Sequence, residues 1–224
     1  MNTINNSSYK PIPLKDFKAK SEEEMQLISK NHLLNMKSRH TIRDFSNKKV
    51  PFSVIKNCVK VACSAPSGAN LQPWHFSIIS SKLVKSKIRK AAEIEEQKFY
   101  EDLKKNEWLK ALEPLGTHAD KPHLEVAPWL IVVFSERYSD LSNGEKRKNY
   151  YVPESVGIAT GFLLTALHLS GLSCLTHTPN PMSFLNELCS RPKSNKPIMI
   201  LACGHAHQDA TVPSVAKIKK EISE

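Results

Sequence analysis

The sequence predicts an α+β domain, a mixed sheet of about four strands flanked by helices. Of two short apolar runs, PWLIVVF at 128–134 reads as a buried central strand and PIMILA at 197–202 as a further strand. Longer segments of helical period separate the strand candidates. The 224 residues are 40% hydrophobic and 24% charged, the size and composition of one soluble domain that needs neither disulfide nor metal to fold.

Residues 1–20 are polar, carry Pro11 and Pro13, and read as an extended arm ahead of a single domain at 21–224. From Ser21 the segment begins with acids and ends with bases around Met25, Leu27, Ile28, Leu33, Leu34 and Met36, which suits a helix and its dipole. A second helix is expected over 50–65, opened by Pro51 and Ser53, with Ile55, Val59 and Ala62 inward. The turn-rich loop APSGANLQPW follows at 65–74, then a strand at 75–79. Residues 81–112 are charged and helix-permissive; 113–125, with Pro114, Gly116 and Pro122, reads as a mobile loop. After the 128–134 strand comes a polar loop at 140–148. The helix at 153–171 is apolar nearly all round, with Gly157 and Gly161 allowing close approach. A strand starts at 172–175, a short helix covers 182–188, and a basic tail follows the last strand. The apolar helix reads either as a central core element or as a dimer interface.

The net charge of +10 favours an anionic partner without choosing among nucleic acid, membrane surface and phosphorylated cofactor. Five cysteines without CxxC or zinc spacing, behind a polar N-terminus, point to reduced thiols and a cytoplasmic setting. The longest apolar runs, 126–134 and the interrupted 156–172, fall short of the ~20 residues of a spanning helix. There is no GxGxxG, Walker loop or GxSxG. His205 and His207, two apart, read as turn histidines rather than metal ligands.

Three segments carry chemistry. In SRHTIRDFS, an extended Arg39, Thr41 and Arg43 would point to one side, two guanidiniums and a hydroxyl suited to a phosphate; a solvated helix end fits equally. In APSGANLQPW, small residues allow close backbone approach, and Asn70 and Gln72 offer amides to a planar heterocycle; a plain helix-to-strand turn also fits. In LTHTPNP, Thr176, His177 and Thr178 directly follow a strand, placing polar groups at a sheet edge, as a capped strand end also would. Glu96 and Tyr100 at i, i+4 share a helical face. On spacing alone Glu96 is one solvated acid among Glu93, Glu95 and Glu101.

In this order the three segments resemble the flavin-dependent nitroreductase family, over roughly residues 35–219. The stretch from EEQKFY to the Ala127-Pro128 pair is similar to the iodotyrosine deiodinase branch, which carries a Glu and a Tyr four apart on a lid helix and a Lys before the Ala-Pro. The resemblance implies a nitroreductase-like homodimer with FMN at the interface and a lid at about 93–121. It implies that Arg39, His40, Thr41 and Arg43 line the phosphate and flavin edge, and that Pro66 and Ser67 come from the neighbouring chain. Thr176, His177 and Thr178 would lie beside the isoalloxazine, and Lys217 near the phosphate. His40 stands where relatives more often have Arg, and Lys217 where they often have Arg. Thr178 would be the catalytic contact, its hydroxyl on flavin N5 favouring stepwise electron transfer. Ala69 would offer its N–H to a substrate phenolate. Glu96, Tyr100 and Lys121 would bind a zwitterion, Glu96 at the ammonium and Lys121 at the carboxylate.

The expected activity is reductive dehalogenation of halotyrosines, with FMN as cofactor and a small aromatic substrate as partner. A general NAD(P)H-dependent nitroreductase or quinone reductase is the alternative. A basic nucleic-acid-binding module is a remote third, resting on Lys82, Lys85, Lys87, Arg89 and Lys90, whose helical spacing scatters the charge. Neither nucleic acid nor membrane is the expected partner, and no metal.

Overall fold

The structure is a computed structural model and describes residues 9–102 and 107–221. Four antiparallel strands form the central sheet: β1 (Trp74–Ile79), β2 (Trp129–Glu136), β5 (Ser173–His177) and β6 (Asn195–Gly204), in the order β1-β2-β6-β5. Helices cover both faces, so the α+β expectation holds. On β2, Ile131 and Val133 face a core built from α2 (Phe52–Cys63) and α6 (Val152–Leu169). Leu130, Val132 and Phe134 face the opposite core, with Ile88 of α3 (Lys82–Asp102), Leu124 of α5 (His123–Val126) and Leu185 of α7 (Phe184–Leu188). Burial on both sides explains why this strand is apolar without alternation.

α1 (Glu22–Lys37) has a capping box: Ser21 Oγ accepts from Glu24 N, and the Glu24 side chain accepts from Ser21 N. None of its residues is buried. Its C-terminus is tied to α6 through His168 Nε2, 2.7 Å from Asn35 O and 3.3 Å from Ser38 Oγ. α2 runs from a Pro51 cap and buries Ile55, Cys58 and Ala62. The charged 81–112 stretch is α3 followed by α4 (Glu107–Leu112); the part of the expected lid at 103–106 lies outside the described residues, as do residues 1–8 of the arm.

Three expectations are corrected. The polar 140–148 loop is instead half of a hairpin, β3 (Tyr138–Asp140) paired with β4 (Lys146–Lys148) and turning at Gly144, φ 82°. The 113–125 loop contains a 3-10 turn, Glu113–Leu115, and α5. Thr176 and His177 do not follow β5; they are its last two residues. The apolar α6 is only partly internal: Ser155, Val156, Ala159, Thr160, Leu163 and Leu167 are buried, while Ile158, Phe162 and Leu169 are exposed. By length and composition alone it would suffice to cross a bilayer, although here it packs between α2 and the sheet.

Candidate active site

β5 is the sheet's edge strand, and the segment after α1 is laid along it. Thr41 bridges Cys174 in parallel and Ile42 N donates to Cys174 O at 3.3 Å. This fixes Arg39, His40, Thr41 and Arg43 in extended backbone beside β5, all half-buried. The strap continues as Phe45 pairs with Ala206 and Thr211 N donates to Asp44 Oδ2. His40 Nδ1 is buried without a hydrogen-bond partner. Burial raises the Cys174 thiol to about 11, with the Arg39 charge pulling the other way, so the guanidinium stands close to the strand.

Alternation along β5 divides the threonine segment. Thr176 and Thr178 are exposed; His177 is turned inward and 9% exposed. The two threonines are thus exposed, while the imidazole is turned toward Glu96 of α3.

There Glu96, Tyr100 and Lys121 come together. Lys121 Nζ lies 3.1 Å from Glu96 Oε2 and 5.7 Å from the centre of the Tyr100 ring. It also donates to Thr117 Oγ1 at 3.3 Å and to His118 O. Tyr100 Oη is 3.1 Å from the same Thr117 hydroxyl. Lys121 is only 4% exposed, so the charge is carried at low exposure by these partners. His177 Nε2 is 3.8 Å from Glu96 Oε1, and the His123 ring stands edge-on to His177 with centres 5.8 Å apart. Neither His123 Nε2 nor His177 Nε2 has a hydrogen-bond partner. Burial, then the Lys121 charge, depresses both, His177 to about 3 and His123 to about 4. A cavity of about 500 Å³ opens beside the trio, lined by Arg43, Lys121, His123 and the Thr211–Pro213 segment among others.

The APSGAN loop lies elsewhere in the chain. Gly68 N donates to Ser155 Oγ at 3.2 Å, and a Cβ on Gly68 would meet Tyr150 O and the Tyr151 ring at 2.9 Å, so the loop is pressed onto the start of α6. Ala69, Asn70 and Gln72 adopt φ of 49°, 54° and 50°, left-handed conformations that non-glycine residues rarely hold and that concentrate at ligand sites. Pro66 and Ala69 are exposed, Ser67 half-buried with Oγ accepting from Gln72 N. Asn70 and Gln72 bond each other through their amides. Among the described residues, no hydrogen bond or ion pair joins this loop to Thr176, Thr178 or the trio. Lys217 ends the 3-10 turn Ser214–Lys217, is exposed, and does not line the cavity.

Sequence reasoning singled out none of Asp44, Thr117, His118 and His123. For His123, proximity to Lys121 in sequence was the available signal. His205 and His207 lie in the turn after β6, with His207 Nδ1 3.6 Å from Asp209; the described residues contain no group of three or more metal-ligating side chains. Of the basic residues between Lys82 and Lys90 on α3, Lys85 points inward to Glu125 O and Ala127 O, and Arg89 to three carboxylates.

The sequence profile of the nitroreductase family matches residues 36–205. An iodotyrosine deiodinase of Haliscomenobacter hydrossis is 48% identical over 88% of this chain and 89% of its own length. Iodotyrosine deiodinase 1 of Homo sapiens is 37% identical over 94% of this chain and 70% of its own. A crystal structure of oxidised iodotyrosine deiodinase bound to FMN and 3-iodo-L-tyrosine superposes with a TM-score of 0.73, at 32% identity over 86% of this chain and 97% of that one. The chain belongs to the nitroreductase family, on its iodotyrosine deiodinase branch.

Proposed function

We propose that this protein is an FMN-dependent reductive dehalogenase of halotyrosines that works as a homodimer in a reducing, cytoplasmic setting. The single observation that carries the reading is the pairing of the buried Lys121 with the half-buried Glu96 beside Tyr100. An anion and a cation joined to each other under a lid form a receptor for the two charges of a free amino acid, and a plain phenol offers neither.

The donor set fits FMN. Arg39 and Arg43 on one extended strap supply cations for a phosphate, and the unpartnered His40 Nδ1 leaves a polar atom for a ligand to satisfy. Thr176 and Thr178 hold exposed hydroxyls at the adjoining strand end. FMN supplies the electrons for the conversion: an aryl carbon–halogen bond takes two electrons and one proton and yields the aryl C–H and halide. The chain's own residues bind and orient. Lys121 exchanges Glu96 for the substrate carboxylate, Glu96 accepts from the ammonium, and Tyr100 closes the lid over both.

Dimerisation is supported by apolar surface left open in the single chain. Ile158 and Phe162 on α6 are 43% and 39% exposed, and Tyr9, Ile12, Leu14 and Phe17 of the arm are 73–91% exposed. A twin protomer is a natural source for the Pro66–Ala69 backbone that this chain holds apart from its own trio. The five cysteines are free, in keeping with a reducing compartment.

The test is anaerobic. The FMN-loaded protein is reduced with dithionite and mixed with 3-iodotyrosine; reoxidation of the flavin with stoichiometric tyrosine and iodide is expected. A flavin that stays reduced at saturating ligand removes the dehalogenase reading, and reduction of nitroarenes by the same protein then favours the general nitroreductase.

A further inference from the structure

The Glu96 carboxylate has two neighbours, one on each oxygen. Oε2 is 3.1 Å from Lys121 Nζ; Oε1 is 3.8 Å from His177 Nε2, too long for a hydrogen bond. His177 Nε2 is buried and unpartnered, on a side chain nine-tenths buried, and such a nitrogen is costly to keep unless another state of the site satisfies it. The groups facing the imidazole are Glu96 from α3, Lys121 ahead of α5, His123 on α5 and Arg43 on the strap. Burial, and then the cations Lys121 and Arg43, disfavour a second proton on the imidazole, so the ring is neutral and carries a single N–H.

This arrangement poses a problem for the proposed binding step. Lys121 must leave Glu96 to meet the substrate carboxylate, and a carboxylate on a flexible side chain can follow the departing ammonium. The self-paired clamp would then re-form behind the substrate. A second donor on the other oxygen prevents this, and His177 is the group placed to be that donor.

We propose that His177 is a positioning residue for Glu96: as Lys121 turns to the substrate carboxylate, the His177 Nε2–H closes onto Glu96 Oε1 and aims Oε2 at the substrate ammonium. The inference rests on the halotyrosine reading and refines it. Each charge keeps one opposite partner throughout: Lys121 exchanges Glu96 for the substrate carboxylate, and Glu96 exchanges Lys121 for the ammonium. His177 gains the hydrogen bond that it lacks in the ligand-free chain. It acts through Glu96 and discriminates amino acids from simple phenols.

The test compares kcat/KM for 3-iodotyrosine and for 2-iodophenol, which shares the carbon–iodine bond and lacks the amino acid end, using FMN-loaded enzyme. His177→Gln keeps an N–H donor; His177→Met removes it at similar volume, and His177→Leu replaces the methionine variant should that fail to load FMN. Loss of a hydrogen bond to a charged group predicts that His177→Met lowers the preference for 3-iodotyrosine over 2-iodophenol by roughly tenfold, through KM. His177→Gln restores most of it. Because the readout is a ratio, the fraction of enzyme carrying flavin cancels. A ratio unchanged in His177→Met overturns the proposal, and so does equal damage by Gln and Met. Wild-type enzyme that leaves 3-iodotyrosine intact overturns the dehalogenase reading itself, an outcome separate from either.

Discussion

Lys121 is an ammonium at 4% exposure, and its burial makes the clamp sensitive to single substitutions. Removing one member of a buried charge pair leaves the other uncompensated and commonly costs ~2–5 kcal/mol. Glu96→Gln and Lys121→Met should each raise KM for 3-iodotyrosine by at least about 30-fold, measured by steady-state turnover, while nitroarene reduction falls far less. The double variant should be no worse than the weaker single one, since the two residues act as one pair. The histidines beneath the clamp make a second prediction. Both are held neutral, His177 near 3 and His123 near 4, below the ordinary histidine value of 6.5. The unfolded chain therefore binds protons that the folded chain refuses as pH falls from about 7 to about 4. Stability is full above the unfolded value and declines through that window, by at most ~1.4 kcal/mol per pH unit per histidine. Thermal melts across the window should show the decline, and His123→Gln should flatten it. Glu96, Tyr100 and Lys121 were singled out by the resemblance to the deiodinase branch; spacing alone left Glu96 one solvated acid among Glu93, Glu95 and Glu101. The part played by His123 was not legible in the sequence, because its burial comes from the packing of α5 on α3, a contact across some forty residues that no local pattern records.

At the scale of elements, Arg89 ties α3 to the segment around α5. Its Nε is 2.7 Å from Glu93 Oε1, and its terminal nitrogens are 2.8 Å from Asp120 and 3.2 Å from Glu125. Glu93 Oε1 also accepts from Lys121 N at 2.8 Å, so the backbone of the clamp lysine hangs from α3 through this hub. Three carboxylates converging on one planar guanidinium cannot be satisfied by an ammonium in the same geometry. Arg89→Lys should therefore raise KM for 3-iodotyrosine by roughly fivefold, leave the fold intact, and speed tryptic cleavage within 93–121 unless substrate is present. Limited proteolysis with and without 3-iodotyrosine checks this. The helices were legible from period and caps; the Ser21 box and the Pro51 start fall where the residues announce them. The hairpin at 138–148 was not. Its strands are three residues each and read KRK on one side, a solvated charge run by composition, and they are fixed by cross-strand pairing, the Asn149 bonds to Arg137 O, Glu136 O and Ser139, and the Lys146–Asp140 pair.

The whole chain leaves apolar surface that its own core does not use. α1 keeps Met25, Leu27, Ile28, Leu33 and Leu34 each more than half exposed and is fastened chiefly at its ends, by its cap and by His168. On α6, no atom of another element among the described residues lies within 4 Å of where a Cβ would stand on Gly157 or Gly161, so no packing contact there calls for their smallness. Glycines four apart beside exposed Ile158 and Phe162 make a flat strip on which a second helix can lie closely. The sequence could not decide whether this helix was central or interfacial, because both uses demand the same apolar composition; the structure has it serving the core on one side and open on the other. If α6 meets its twin, the wild-type protein should sediment at twice the chain mass. Phe162→Glu places a carboxylate in the centre of that strip, at a site partly exposed in the single chain, so it should spare the fold of each protomer. Sedimentation should then fall to the single-chain mass, far-ultraviolet circular dichroism should be unchanged, and FMN should wash out on gel filtration, because the Pro66–Ala69 loop would no longer reach the strap of another chain. A Phe162→Glu protein that remains dimeric and yellow would place the interface away from α6 and require the APSGAN loop to close on its own chain.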